Sequence, residues 1–183
     1  MTDAVAEKGY ANTVVADVVA RSGVSRATFY QLFRGKDDCF QAAYEAHAEV
    51  IVAVMTAGLE ALREEEGVAP IDKLDRVLDL YLEALRSSPA VARVFLVEVY
   101  AAGPAVIEQR RAALDVFVDV VAATHDGEDG PLGTRPEQRF AAEFLVAGVS
   151  SFVTNIVAVG DLDHLGDLRD QLIALARQIL STP

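Results

Sequence analysis

Apolar residues recur along the chain at helical spacing, and no stretch alternates in the manner of a half-buried strand. Within residues 13–33, Val15, Val18 and Val19 stand at i, i+3 and i+4, an apolar face about two turns long that leaves Ala16, Asp17, Ala20 and Arg21 on other sides. Gly23 then offers positive φ just past a helix end, Val24 an apolar plug for the turn, and Ser25 a good N-cap for a second helix from Arg26. In that helix Phe29 shares an inward face with Leu32 and Phe33, which leaves Arg26, Ala27, Thr28, Tyr30 and Gln31 elsewhere. Two short helices joined by a glycine-containing turn predict a helix-turn-helix.

The pattern continues as helices to the end. Residues 1–8 read as a short helical piece closed by Gly9, and Lys36-Asp37-Asp38 opens a long helix through Phe40, Ala43, Tyr44, Val50, Ile51 and Val54 to about Leu62, its first-turn carboxylates suited to the helix dipole. Residues 64–67 form a break, after which Pro70 suits a first turn and Leu74, Leu78, Tyr81, Leu82 and Leu85 form a stripe to Ser87. Pro89 opens a shorter helix over 91–100, apolar almost all round and therefore central, with Glu98 as its one acidic interruption. A helix over 105–124 turns Ile107, Leu114, Phe117, Val118 and Val121 inward, and residues 125–136 read as a polar loop. Two last helices, 137–159 and 165–180, carry wide apolar faces: Phe140, Phe144, Val149, Phe152, Val153 and Ile156 on the first, Leu168, Leu172, Ile173, Leu175 and Ile179 on the second. The expected fold class is all-α.

Composition narrows the setting. The single cysteine, Cys39, excludes an internal disulfide and a cysteine-based zinc site. No signal peptide opens the chain, and the longest uncharged stretch, residues 144–160, contains Ser150, Ser151, Thr154 and Asn155, so a buried or interfacial helix is expected and no membrane span. A cytoplasmic protein is expected. The formal charge of −12 divides unevenly: residues 1–47 carry −1 and the remainder −11, which keeps any contact with nucleic acid on the N-terminal part. Catalysis finds no support, since His47, His125 and His164 are far apart in sequence and no nucleophile motif occurs. The acids at Asp126, Glu128 and Asp129, and those at Asp161, Asp163 and Asp167 with His164, lack calcium-loop spacing; the twelfth position of the second run is Leu172. No metal, cofactor or catalytic residue is expected.

Thr13-Val14-Val15, Val18, Gly23-Val24-Ser25, Thr28-Phe29-Tyr30, Phe33 and Lys36-Asp37-Asp38, preceded by Glu7-Lys8-Gly9-Tyr10, stand in the order and spacing of the tetracycline-repressor (TetR) family, which this chain closely resembles over its first quarter. The resemblance implies a helix-turn-helix DNA-binding domain over residues 1–47, followed by a helical ligand-binding and dimerisation domain over 48–183. Against the family's pattern the first helix is about two or three turns short, so either the true start lies upstream, which is the favoured reading, or the protein works with a shortened first helix. By the chemistry of a major-groove helix, Ser25, Arg26, Ala27, Thr28 and Gln31 are placed for base edges and backbone, and by resemblance Tyr30 and Lys36 contact phosphate.

The resemblance also implies a homodimer through the last two helices, double-stranded palindromic operator DNA as a partner, and a small apolar effector whose binding releases a repressor. Residue type and position make Tyr81, Phe95, Glu98, Tyr100, Phe117, Phe144, Phe152 and Asn155 the pocket candidates, with Glu98 either a ligand anchor or the salt-bridge partner of Arg93 or Arg110. The rival reading is a dimeric helical small-molecule-binding or interaction protein that has lost DNA binding.

Overall fold

The computed structural model describes residues 1–63, 65, 67–123 and 136–180, and every regular element among them is helical. In chain order these are α1 (Thr2–Lys8), α2 (Val15–Ser22), α3 (Arg26–Leu32), α4 (Lys36–Arg63), α5 (Pro70–Ser87), α6 (Pro89–Leu96), α7 (Pro104–Ala123), α8 (Pro136–Val159) and α9 (Leu165–Leu180), with short 3₁₀ turns at Glu98–Ala101 and Leu162–His164. The acids at positions 126, 128 and 129 lie outside the described residues.

Two separate cores hold the helices. Val18, Phe29 and Cys39 form a small one, with Val15, Val19 and Phe33 packed around it. The larger contains Phe40, Tyr44, Phe95, Leu82 and Leu165, all fully buried, and reaches from α4 to α9. Each such side chain contributes roughly 1.5–3 kcal/mol of transfer free energy. α4 packs against α5, α6 and α7, α8 against α6, α7 and α9, and α9 back onto α5, where Arg169 reaches Asp75 at 2.9 Å. The α8 segment Arg139–Val159 is long and apolar enough to cross a membrane by length and composition alone, and here it packs among these helices.

α1 belongs to the larger core. Val5 is fully buried there, and the Tyr10 ring that follows packs edge-on to Phe40 at 4.8 Å. Thr13, also fully buried, donates its hydroxyl to the Gly9 carbonyl at 2.8 Å.

The helix expected over 91–100 divides. α6 stops at Leu96, and Glu98–Ala101 forms a 3₁₀ turn that carries the Glu98 carboxylate inward. There Oε2 accepts the Tyr10 backbone N–H at 2.8 Å, and Oε1 lies 3.2 Å from Arg93 Nε. Gly9 closes α1 at φ 78°, where an added Cβ would stand 3.5 Å from Glu98 Oε2.

Two inward assignments differ from the pattern, and part of the wide apolar face of α8 is left uncovered. Leu32 is 67% exposed, because α3 buries only the face holding Phe29 and Phe33 closes the small core from beyond the helix end. Ile107 is displaced from the core face by Val106. Phe140, Phe144 and Phe152 of α8 point away from the core, which takes Leu145, Val146, Val153 and Val157 instead.

Glu98→Ala should therefore lower unfolding stability by about 1–3 kcal/mol, since it leaves a buried amide and a half-buried arginine without their acceptor. Urea denaturation checks this, and an unchanged midpoint would show that the contact between α1 and the 3₁₀ turn is not structural.

Candidate functional site

The helix-turn-helix is built by local rules. Asp17 accepts the Val14 N–H at 3.0 Å and so closes the start of α2, while Lys8, 2.5 Å away, holds its carboxyl below the usual range. Gly23 ends α2 in the left-handed region at φ 70° and ψ 6°, donating its N–H to the Val19 carbonyl. Ser25 caps α3: its hydroxyl accepts the Thr28 N–H at 3.0 Å and lies 2.8 Å from the Thr28 hydroxyl. With Phe29 holding one side of α3 in the small core, the opposite side faces solvent.

Arg26, Ala27, Tyr30 and Gln31 are exposed on that side, as is Ser25 at its start, and Thr28 is half-buried. The Arg26 guanidinium stands 6.0 Å from the Tyr30 ring centroid. Other basic groups nearby are engaged with carboxylates, Lys8 with Asp17, Arg21 with Glu7 and Arg34 with Asp38. Lys36 is half-buried: its ammonium donates to the Tyr10 carbonyl at 2.9 Å and lies 4.1 Å over the Tyr10 ring.

The second site is a small cavity inside the larger core, about 70 Å³, walled by Met55 of α4, Leu78 and Tyr81 of α5, Phe117 of α7, Val146 of α8 and Ile173 of α9. Its walls are almost wholly apolar, and burial pushes the Tyr81 phenol well above its ordinary range. Beside it lies a more polar pocket of about 300 Å³, lined by Tyr100, Arg110, Ser151, Thr154 and Asn155. The two share Leu114 and Ser150.

Arg110 stands at that seam and is 5% exposed. Its Nη2 donates to the Ser150 hydroxyl at 2.7 Å and Nη1 to the Phe95 carbonyl at 3.4 Å, and its guanidinium lies 5.2 Å from the Tyr100 ring centroid. The fully buried Tyr44 stacks on Phe95 at 5.1 Å; burial pushes its phenol up to about 12, with the nearby Arg110 charge opposing. Among the described residues no carboxylate pairs with Arg110.

Of the eight residues proposed for a pocket, Tyr81 and Phe117 line the apolar cavity, and Tyr100 and Asn155 line the polar one. The others lie elsewhere. Phe95 is a packed core ring, Glu98 is bound to Tyr10 and Arg93, and Phe144 and Phe152 face outward. Sequence reasoning missed Arg110 as a site residue, although it falls in phase with Val106, Ala113, Phe117 and Val121 on the buried stripe of α7. A charge in phase with an apolar stripe is the signal that would have found it.

Residues 3–43 match the family model of bacterial regulatory proteins, tetR family. A regulator from Escherichia coli, the HTH-type transcriptional regulator RutR, is 26% identical over 121 residues, which are 66% of this chain and 54% of that one; the chain thus spans about half the length of the curated relatives it matches. Among solved structures, the transcriptional regulator FadR from Bacillus subtilis in complex with stearoyl-CoA superposes with a TM-score of 0.77 at 17% identity, covering 95% of this chain and 92% of that one. A TetR-like transcriptional regulator from Rhodococcus gives 0.71 at 19% identity, with 99% and 92% covered. Residues 3–43 thus carry a helix-turn-helix that matches the tetR family model, on an all-helical chain with the fold of these regulators.

Proposed function

We propose that the chain is a homodimeric, cytoplasmic transcriptional repressor: residues 1–47 bind a palindromic operator, and a small, largely apolar molecule entering residues 48–183 releases it. The observation that carries this is the outward side of α3, where Arg26, Ala27, Tyr30 and Gln31 are free while Phe29 pins the helix from behind. Arg26 has no carboxylate partner among the described residues, so its donors remain for a guanine edge or a phosphate, and Ala27 suits a thymine methyl. Lys36 keeps two donors beyond the one aimed at the Tyr10 carbonyl, and with the Tyr30 hydroxyl it suits backbone phosphate.

The exposed Phe140, Phe144 and Phe152 of α8 support the dimer. Rings exposed this far on one helix face mark a protein contact, and a second copy would cover them isologously and present two α3 helices to two half-sites. The apolar cavity supports the effector, as does the stearoyl-CoA held by the similarly folded regulator from Bacillus subtilis. A ligand that binds one separation of the reading heads better than another shifts the dimer toward it. The charge of −12 favours the rival, a helical binding protein without DNA, because phosphate is repelled by most of this surface.

Selection of bound duplexes from a random pool separates the two: the regulator enriches a palindrome whose binding falls steeply with salt, and the rival enriches nothing. On the enriched duplex, Tyr30→Phe should cost about 1 kcal/mol, roughly fivefold in affinity, at every sequence alike, whereas Thr28→Ala should change base preference. Equal loss on all duplexes for Thr28→Ala would remove it from base contact. The double variant Phe144→Glu with Phe152→Glu should be monomeric in sedimentation analysis and lose the palindrome; a dimer with intact binding would place the interface elsewhere.

A further inference from the structure

The chemistry of the effector can be read more finely at the seam between the two pockets. Arg110 is a permanent cation with five donors, buried to 5% exposure in the chain's own fold. Burial of such a charge is costly unless an anion or a full set of acceptors meets it. Here it has one hydroxyl at 2.7 Å, one carbonyl at a long 3.4 Å, the nearby Tyr44 phenol and the face of Tyr100, with no carboxylate among the described residues. The Thr154 hydroxyl, which lines the same pocket, is buried without a hydrogen-bond partner. One side of Ser150 and Leu114 is polar and holds the guanidinium; the other opens into the apolar cavity.

We propose that Arg110 is the counter-ion for the head group of a monoanionic amphiphile, an unbranched carboxylic acid whose hydrocarbon chain passes Ser150 and Leu114 into the apolar cavity. This rests on the reading of residues 48–183 as an effector domain. The guanidinium matches a carboxylate in a planar fork, and the hydroxyls of Ser150 and Thr154 are placed to complete its hydrogen bonds. A single buried cation matches a single charge. A nucleotide-bearing thioester would bring several phosphates to a pocket whose lining offers Arg110 as its one cation, on a protein of net charge −12. The head-group preference therefore differs from that of a coenzyme A ester.

The test is calorimetric titration of the full chain with sodium dodecanoate, dodecan-1-ol and dodecanoyl-coenzyme A below their micelle concentrations, with DNA binding measured on the same preparations. The wild-type protein should bind the carboxylate at least about tenfold more tightly than the alcohol, and the thioester no better than the alcohol. Arg110→Met, which keeps the apolar stem and removes the charge, should lose that tenfold preference while binding the alcohol as before or more tightly. Equal wild-type affinities for acid and alcohol would overturn the proposal without any variant, and so would tighter binding of the thioester. An Arg110→Met protein that loses acid and alcohol alike, or that changes only its monomer–dimer equilibrium, would assign the residue to packing or to the interface. Absence of binding by all three ligands, with a palindrome still bound, would overturn this inference and leave the DNA-binding reading standing; loss of DNA binding with the carboxylate preference intact would do the reverse.

Discussion

Cys39 and Phe40 are neighbours in sequence and sit in different cores, and the rest of the structure depends on that division. Cys39 completes the small cluster with Val18 and Phe29, while Phe40 opens the larger one that continues through Tyr44, Ile51, Met55 and Leu59. Both are fixed on the first turn of one unbroken helix of 28 residues, α4. The orientation of α3 thus follows α4 at its start, and the wall of the apolar cavity follows α4 at Met55. Packed cores resist continuous deformation, so in the proposed regulator a change in the cavity wall would be carried along the helix as a tilt.

A second route joins the same two regions. Arg110 touches the Phe95 carbonyl, just before the 3₁₀ turn, and the Tyr100 ring within it, and that turn delivers Glu98 to the Tyr10 amide. Tyr10 in turn supplies its carbonyl to Lys36 at the head of α4 and donates its hydroxyl to Asp37. The buried polar groups of the domain therefore line up between the cavity and the start of the rod. Each is bonded to a group on another element.

Local chemistry made the reading head legible. Gly23 at positive φ, Ser25 as a cap and Phe29 as the buried side of α3 each follow from residue type and spacing within a few positions. Leu32 failed because a helix of seven residues has room to bury one narrow face, and Phe33 beyond its end took the remaining space. Glu98 was recognised as unusual from its apolar neighbours, but its partner lies 88 residues away and no spacing rule reaches that far. Phe144 and Phe152 mark the limit of reasoning from residue type, since an aromatic ring is equally at home in a core, a pocket or a contact between chains. Arg110 was legible by phase alone, as a charge on the buried stripe of α7.

If occupation of the cavity moves the two helix-turn-helix modules of the proposed dimer through α4, the distance between them changes when ligand binds. Spin labels on Gln31→Cys, in a Cys39→Ala background, place one probe on the exposed side of each α3, and pulsed electron spin resonance reads their separation with and without sodium dodecanoate. The account predicts a shifted and narrowed distance distribution on addition of the ligand, with the shift lost in Arg110→Met. Identical distributions at saturating ligand, in a dimer that releases its DNA, would contradict it.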